Sequence, residues 1–287
     1  MTRTNVDIEF RPMEQADIEA GLRLCRLAGW DQVRRDWERF LAGPDSRAWA
    51  AALAGEVIAT VATIRYGPRV GWIGMVLVHP AAQGRGVGAA LLRQATDSLA
   101  DVPVIRLDAT PAGQPLYQKH GFVEDCPLTR MEATSVEIEQ GSRTHARDMT
   151  RGELSEVVAM DRLAFGAPRA DLLRWMYDGA PQFAFVAERG GNLSGYLLGR
   201  HGHQFDHLGP IVADDLDVAM DLTRACLARH RDQAFVIDAA RHDEGWIRFL
   251  ESIGFHPQRP YVRMYRGEPA SFGVARQQFA VLGPEFG

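Results

Sequence analysis

The sequence predicts an α/β (α+β) protein of two tandem domains of one fold, each a mixed, mostly antiparallel sheet flanked by helices. Three observations carry this. Apolar runs of strand length alternate with runs of helical period along the whole chain. A glycine-rich turn joins one strand to one helix within the first half. The second half repeats the first: Gly121-Phe122, Pro127 and Arg130-Met131 recur as Gly254-Phe255, Pro260 and Arg263-Met264 at a constant offset of 133. Ile105 to Ala109 also resembles Val236 to Ala239, and Ile73-Gly74 pairs with Leu208-Gly209 at a closely similar offset. Solenoid repeats have periods of roughly 20–50 residues, so this longer spacing signals two domains. The expected divisions are 1–133, 134–266 and a tail, 267–287, packing back on the domains.

Each element has a local reason. Val6 to Phe10 reads as a strand, and Ile18, Leu22, Cys25 and Leu27 supply the apolar face of a helix that Gly29 breaks. A second helix, Gln32 to Leu41, is expected to start from the cap Asp31 and to stop at Gly43-Pro44. Trp49 to Leu53 and Val57 to Tyr66 form a hairpin across Ala54-Gly55-Glu56. Trp72 to Val78 is an apolar strand ended by Pro80, and the helix after it places Val87, Leu91, Ala95 and Leu99 on one face. The strand Val104 to Ala109, a short helix near Gln114 to His120 and a strand pair up to Met131 complete the unit.

Gly84, Gly86 and Gly88 leave the backbone bare at a helix N-terminus, where unpaired N–H groups suit a phosphate or pyrophosphate. Two readings compete. Gly84-Arg85-Gly86-Val87-Gly88-Ala89 fits the dinucleotide pattern G-x-G-x-x-A, with Asp108 near the expected ribose-binding position. Against this, His79-Pro80-Ala81-Ala82-Gln83 separates strand from glycine, and further strands come first. Gln83-Gly84-Arg85-Gly86-Val87-Gly88, preceded by Val78-His79-Pro80, instead resembles the acyl-CoA pyrophosphate loop of the GNAT superfamily of N-acyltransferases. Leu116-Tyr117-Gln118-Lys119-His120-Gly121-Phe122 resembles that family's L-Y-x-x-x-G-F segment.

The resemblance implies acetyl-CoA as cofactor and acyl transfer from its thioester to a small amine, with a protein lysine, a non-catalytic acyl-CoA sensor and a nicotinamide oxidoreductase as alternatives. It implies that backbone groups near Val76 and Val78 pair with the pantetheine amides. Gln83, Gly84, Arg85, Gly86, Val87, Gly88 and Ala89 would hold the pyrophosphate, with Arg85 adding positive charge. Tyr117 is the candidate acid for the leaving thiolate, because a phenol of pKa about 10 is protonated at neutral pH; packing is its other reading. Thr110 and Gly113 stand where many members have Asn and Ala. Trp30, Asp31 and Gln32 sit where the acceptor usually enters. The strand Trp72 to Val78 carries no carboxylate, so no base is evident; Asp31, Glu124, Asp125 or a water chain are open.

The second copy lacks the glycines. After Gly209 to Ala213 it runs Asp214-Asp215-Leu216-Asp217, which opposes an anion by charge and by bulk, and Leu250 replaces Tyr117. This half is expected to bind no cofactor. His201, His203, Asp206 and His207 resemble a metal cluster but lie on a turn, and no metal is expected; the other reading of Asp206-His207 is that they face the substrate cleft from the second domain, with His207 as a substrate contact. The tail is expected to add a short strand around Phe279, Val281 and Leu282, with Phe272, Val274 and Phe286 docking, and Glu285 would then reach the cleft as a base or pack elsewhere.

Net charge is −5 with no long basic block, so nucleic acid is not expected as a partner. Cys25, Cys126 and Cys226 lack C-x-x-C spacing and suit a reducing compartment. No run approaches the about 18 apolar residues of a membrane span, and no signal core opens the sequence, so a cytoplasmic location is expected.

Overall fold

The structure, a computed structural model, describes residues 7–138, 145–268 and 273–287. Its contacts divide the chain into two units, one running to Leu107 and including Phe286, the other comprising Asp108–Glu285 and Gly287.

In the first unit, β1 (Ile8–Pro12), β2 (Ser46–Leu53), β3 (Glu56–Tyr66), β4 (Val70–Val78) and β5 (Val104–Ala109) are neighbours in chain order. Successive pairs are antiparallel except the last, which is parallel. The hairpin between β2 and β3 turns on Ala54 and Gly55, both at positive φ, which matches the twist of the flanking strands. Val6 lies outside the described residues, and the first strand begins at Ile8.

Three helices cover this sheet: α1 (Ile18–Leu27), α2 (Arg34–Ala42) and α3 (Val87–Ser98). The face expected for α3 is the buried one, with Val87, Leu91, Ala95 and the following Leu99 all inside. In α1, Leu24 is buried and Leu27 is 56% exposed; Leu24 continues the inward row set by Gly21 and Ile18, while Leu27 ends the last turn pointing outward. Asp31 does not cap α2. The helix starts two residues later than expected, where the Asp36 carboxylate accepts the Val33 N–H at 2.7 Å. The tail residue Phe286 belongs here too, stacked on Phe40 at 4.9 Å with its carbonyl accepting from Tyr66 Oη at 2.7 Å.

The second unit contains α4 (Gln114–Lys119), β6 (Val123–Ala133), β7 (Ala146–Asp148), α5 (Leu154–Phe165), α6 (Ala170–Gly179), β8 (Phe185–Arg189), β9 (Asn192–Arg200) and β10 (Asp206–Ala213). There follow α7 (Leu216–Arg229), β11 (Phe235–Ala240), α8 (Glu244–Ser252), β12 (His256–Gly267) and β13 (Gln278–Ala280). Its strands are ordered β12-β6-β11-β13-β10-β9-β8-β7. The core joins Phe183, Phe185, Leu222, Phe235, Trp246 and Phe279. The expected strand pair before Met131 is one long strand, β6, which keeps its pairing across Pro127.

The sequence copies divide at Ala133 and the compact units at Leu107, and β6 accounts for the difference. Although it closes the first copy, β6 lies between two strands of the second, antiparallel to both β11 and β12. Two buried ion pairs cross-link this arrangement. Arg130 on β6 grips Asp238 on β11 through Nε and Nη2 at 2.8 and 2.7 Å. Arg263 on β12 grips Asp108 through the same two nitrogens at 2.8 and 2.9 Å. These are repeat-equivalent residues, so the arginine of each copy's final strand serves the aspartate of the other copy.

Candidate active site

The residues expected to hold the cofactor lie on β4, on α3 and on the loop that joins them. β4 pairs with β5 over only Val70–Trp72 and then continues to Val78. Where the pairing stops, β4 bulges: its register against β3 shifts, and buried Met75 sits at φ +55°. A non-glycine residue in that region is strained and must be held by its surroundings. Thr60 holds it, donating from Oγ1 to the Met75 carbonyl at 2.9 Å. The bulge interrupts the ladder at Met75 and Val76, and pairing with β3 resumes at Leu77 and Val78.

After β4, His79 Nδ1 accepts the Ala81 N–H and Gln83 Nε2 donates to the Val78 carbonyl at 3.2 Å, so Gln83 fixes the loop to the strand end. Gly84 and Gly86 then adopt φ of +74° and +79°, and a Cβ on either would meet nothing within 4 Å. The left-handed conformation favours glycine at both positions, and the space around them is open. α3 begins directly after Gly86 with no side-chain cap, so the N–H groups of Val87, Gly88 and Ala89 face outward unpaired by the helix. The matching helix of the second copy is closed: Asp215 caps α7 by accepting the Val218 N–H at 3.1 Å. One copy leaves this helix N-terminus without a side-chain cap, and the other closes the matching one with a carboxylate.

Residues 16–122 match the family described as "Acetyltransferase (GNAT) family", and residues 157–280 match a second description, "Acetyltransferase (GNAT) domain". The chain belongs to the GNAT superfamily. It is a tandem GNAT acetyltransferase, and enzymes of this family generally use acetyl-CoA. Holothin acyltransferase of Pseudoalteromonas sp. is 29% identical over 83% of this chain and 81% of its own length. The N-acetyltransferase YitH of Bacillus subtilis is 24% identical over 86% and 88%. A Pyrococcus horikoshii structure classed with the acetyltransferases shares the fold at TM-score 0.80 and 21% identity, covering 100% of this chain and 99% of that one. A tandem GNAT protein from the clavulanic acid biosynthesis pathway does so at TM-score 0.63 and 17% identity, over 92% and 100%.

Trp30, Asp31 and Gln32, the residues expected on the acceptor side, lie on the loop between α1 and α2. Arg26 pins that loop, donating to the Trp30 and Gln32 carbonyls at 2.8 and 2.7 Å. Gln32 is buried, and its Oε1 has no hydrogen-bond partner among the described residues. Asp31 and Trp30 are half-buried beside it.

Tyr117, on α4 in the second unit, is buried with its ring edge-on to Phe122 at 6.1 Å. Burial pushes its phenol well above the ordinary value. Gly113 explains itself: a Cβ there would lie 2.9 Å from Tyr117 Cε2, so alanine would crowd the ring. Thr110 closes the same turn by accepting the Gly113 N–H at 3.2 Å. Glu124 accepts from the side chains of Gln114 and Gln118.

Several other candidate residues are engaged within the protein itself. Asp108 is no ribose ligand, since its side chain is fully buried against Arg263. His207 offers no open face: it is 2% exposed, with Nε2 on Asp238 Oδ2 at 2.9 Å. Burial lowers its pKa against the pull of Asp238. Glu285 is likewise interior, paired with Arg200. His201 spends both ring nitrogens on Asp206 and Gln182, and among the described residues no group of three His, Cys, Asp or Glu side chains is arranged for a metal. Among them, too, no helix is long and apolar enough to cross a membrane.

Proposed function

We propose that the first copy transfers an acetyl group from acetyl-CoA to the nitrogen of a small amine, in the cytoplasm. The observation that carries this is the open cradle at the start of α3 beside a bulged β4, set against the capped helix of the second copy. The residues present fit the cofactor. N–H groups from Arg85 to Ala89, with the Arg85 charge, suit its pyrophosphate, and the Val76 and Val78 backbone suits its pantetheine amides. When bound, acetyl-CoA supplies an acyl group activated as a thioester.

The chain's own part is to orient, polarise and move protons. A β4 N–H near the bulge is assigned to polarise the acyl carbonyl, a role whose removal typically costs about 10²- to 10³-fold. Tyr117 keeps its proton at neutral pH because burial raises its pKa, and it is assigned to give that proton to the departing sulfur. On the acceptor side, Gln32 Oε1 is a buried acceptor without a partner. Leaving such a group unsatisfied costs about 1–3 kcal/mol, and an amine N–H would relieve it. One relative, named holothin acyltransferase, supports acyl transfer. The proposal rests on neither His207, hydrogen-bonded to Asp238, nor Glu285, paired with Arg200.

A thiol-release assay over a library of small amines is the test. Turnover with at least one amine is expected, whereas CoA binding without thiol release from any amine or lysine peptide would identify a sensor instead. Tyr117→Phe is expected to lower kcat by about 10²-fold with CoA affinity nearly unchanged, because the lost interaction matters in the transition state. Equal losses of rate and of melting temperature would show that Tyr117 only packs.

A further inference from the structure

The two copies match at their splayed strands as well as at their ends. β10 corresponds to β4, and β11 to β5. Like β4 and β5, β10 and β11 are parallel and pair only briefly, through Asp206–Phe235 and His207–Val236. Like β4, β10 then shifts register, between Leu208 and Ile211. Beyond that point the gap between β10 and β11 is filled by β13. Ile211 pairs with Ala280, Val212 with Gln278, and Ala239 with Ala280, all antiparallel. Val281 continues the contact, donating its N–H to the Asp238 carbonyl at 3.0 Å. A Cβ on Gly209 would lie 2.0 Å from the Val281 carbonyl oxygen, so the segment fits against bare backbone.

The register makes the comparison specific. Leu208-Gly209 matches Ile73-Gly74, and the same step of 135 carries Val76 onto Ile211 and Val78 onto Ala213. Val76 is the residue assigned to a pantetheine amide in the first copy, and Ile211 is the residue held by the tail. We propose that the second copy retains its cofactor-arm cleft as a ligand site whose resident ligand is the chain's own segment Gln278–Ala280. The likeness to pantetheine rests on the acyltransferase reading, but occupation of the cleft by β13 does not.

The surroundings suit a held ligand. Ala280 is small and 1% exposed where both neighbouring strands meet it, and Phe279 enters the core beside Trp246. On either side the segment is fastened by side chains: Gln278 Nε2 donates to the Ala164 carbonyl at 2.8 Å, and Gln277 Nε2 donates to Asp214 at 3.1 Å. Farther along, Glu285 pairs with Arg200, and Arg169 donates to the Gly287 carbonyl. Asp214 belongs to the acidic run that replaces the glycine loop, so the former phosphate end of the cleft also contacts the tail.

The test uses the full chain with a protease site inserted between Glu268 and Gly273, cut after folding. The tail is expected to stay bound at one per chain through gel filtration, and Val281→Pro, which removes the N–H given to Asp238, is expected to release it. A cut tail that separates from a folded body would overturn the proposal. Hydrogen exchange on the uncut chain guards against a cut that unfolds it. Amides of 279–281 should be protected as well as those of β10, and Val281→Pro should speed exchange at 279 and 280 at least tenfold while β8 and β9 stay protected. Fast exchange there in the wild type, or two CoA bound per intact chain, would overturn it. Failure to bind any CoA would sink the acetyltransferase reading and leave the exchange result standing.

Discussion

Gly86→Glu is expected to weaken CoA binding by at least about 10²-fold in titration calorimetry. A carboxylate placed on the cradle meets the pyrophosphate as a like charge. At about 4 Å and an effective dielectric near 20 that repulsion is about 4 kcal/mol, and each 1.4 kcal/mol is tenfold, so solvent screening can remove a decade and still leave a large loss. Gly86 is at φ +79°, so any side chain also carries the left-handed backbone cost of about 1–2 kcal/mol. Gly86→Ala separates the two effects, since it adds strain without charge. Gly88→Glu adds charge at a position of ordinary φ and should also abolish binding. Undiminished affinity in either glutamate variant would remove the loop from the cofactor site.

Arg130→Met is expected to destabilise the fold by about 3–5 kcal/mol in urea unfolding, the usual effect of leaving one member of a buried ion pair alone. The side chains of Arg130 and Asp238 are 4% and 0% exposed. Burial alone would raise the Asp238 pKa, but the Arg130 charge and forked hydrogen bonds, together with His207, outweigh it and hold the carboxyl well below the ordinary range. That stabilisation is present above the unfolded value of about 3.9 and is lost as pH falls below it toward the folded value. A loss under 1 kcal/mol would mean that the pair is not desolvated as the structure has it.

His207 acts earlier in an acid titration. Its folded pKa is lowered, chiefly by burial, so below about 6.5 the unfolded chain takes up a proton that the folded chain refuses. Stability should therefore decline as pH falls through that value. His242, also lowered by burial, adds to the slope. His207→Gln should make the decline between about pH 6.5 and 5 shallower, and an unchanged slope would assign it to His242 instead.

Much of the fold was legible because the relevant signals are local. The helical spacing of Val87, Leu91, Ala95 and Leu99 needs only an apolar sheet to face, and the Gly84–Gly86 turn needs only a backbone that no side chain obstructs. Boundaries set by a distant partner were harder. Asp31 looks like a helix cap, but Asp36 reaches back from within the helix and moves the start. Tyr117 and Gly113 were visible as motif positions, while their mutual fit at 2.9 Å depends on how the ring is packed. The repeat exposed Arg130, Asp108 and Arg263 as recurring residues, yet sequence alone left open whether each arginine serves its own copy. Strand order decides that, and no local preference encodes it. A short tail strand was expected at Val281 and Leu282 beside Phe279; it runs instead from Gln278 to Ala280, and its seat between β10 and β11 follows from the splay of those strands.

The insertion of β6 between β11 and β12 sets a schedule for synthesis. Arg130 and Asp238 are separated by 108 positions. At about 5–20 residues per second, β6 leaves the ribosome roughly 5–20 s before its first partner strand exists. During that interval it is an unpaired edge, open to wrong pairing with another nascent chain. Glu124, Asp125, Arg130 and Glu132 place charges along it, and Pro127 removes one donor from its ladder, the features that discourage such pairing. The first copy thus waits for the second before its last strand can settle, and ribosome-bound chains stalled before Phe235 would present β6 to chaperones and proteases as an open end.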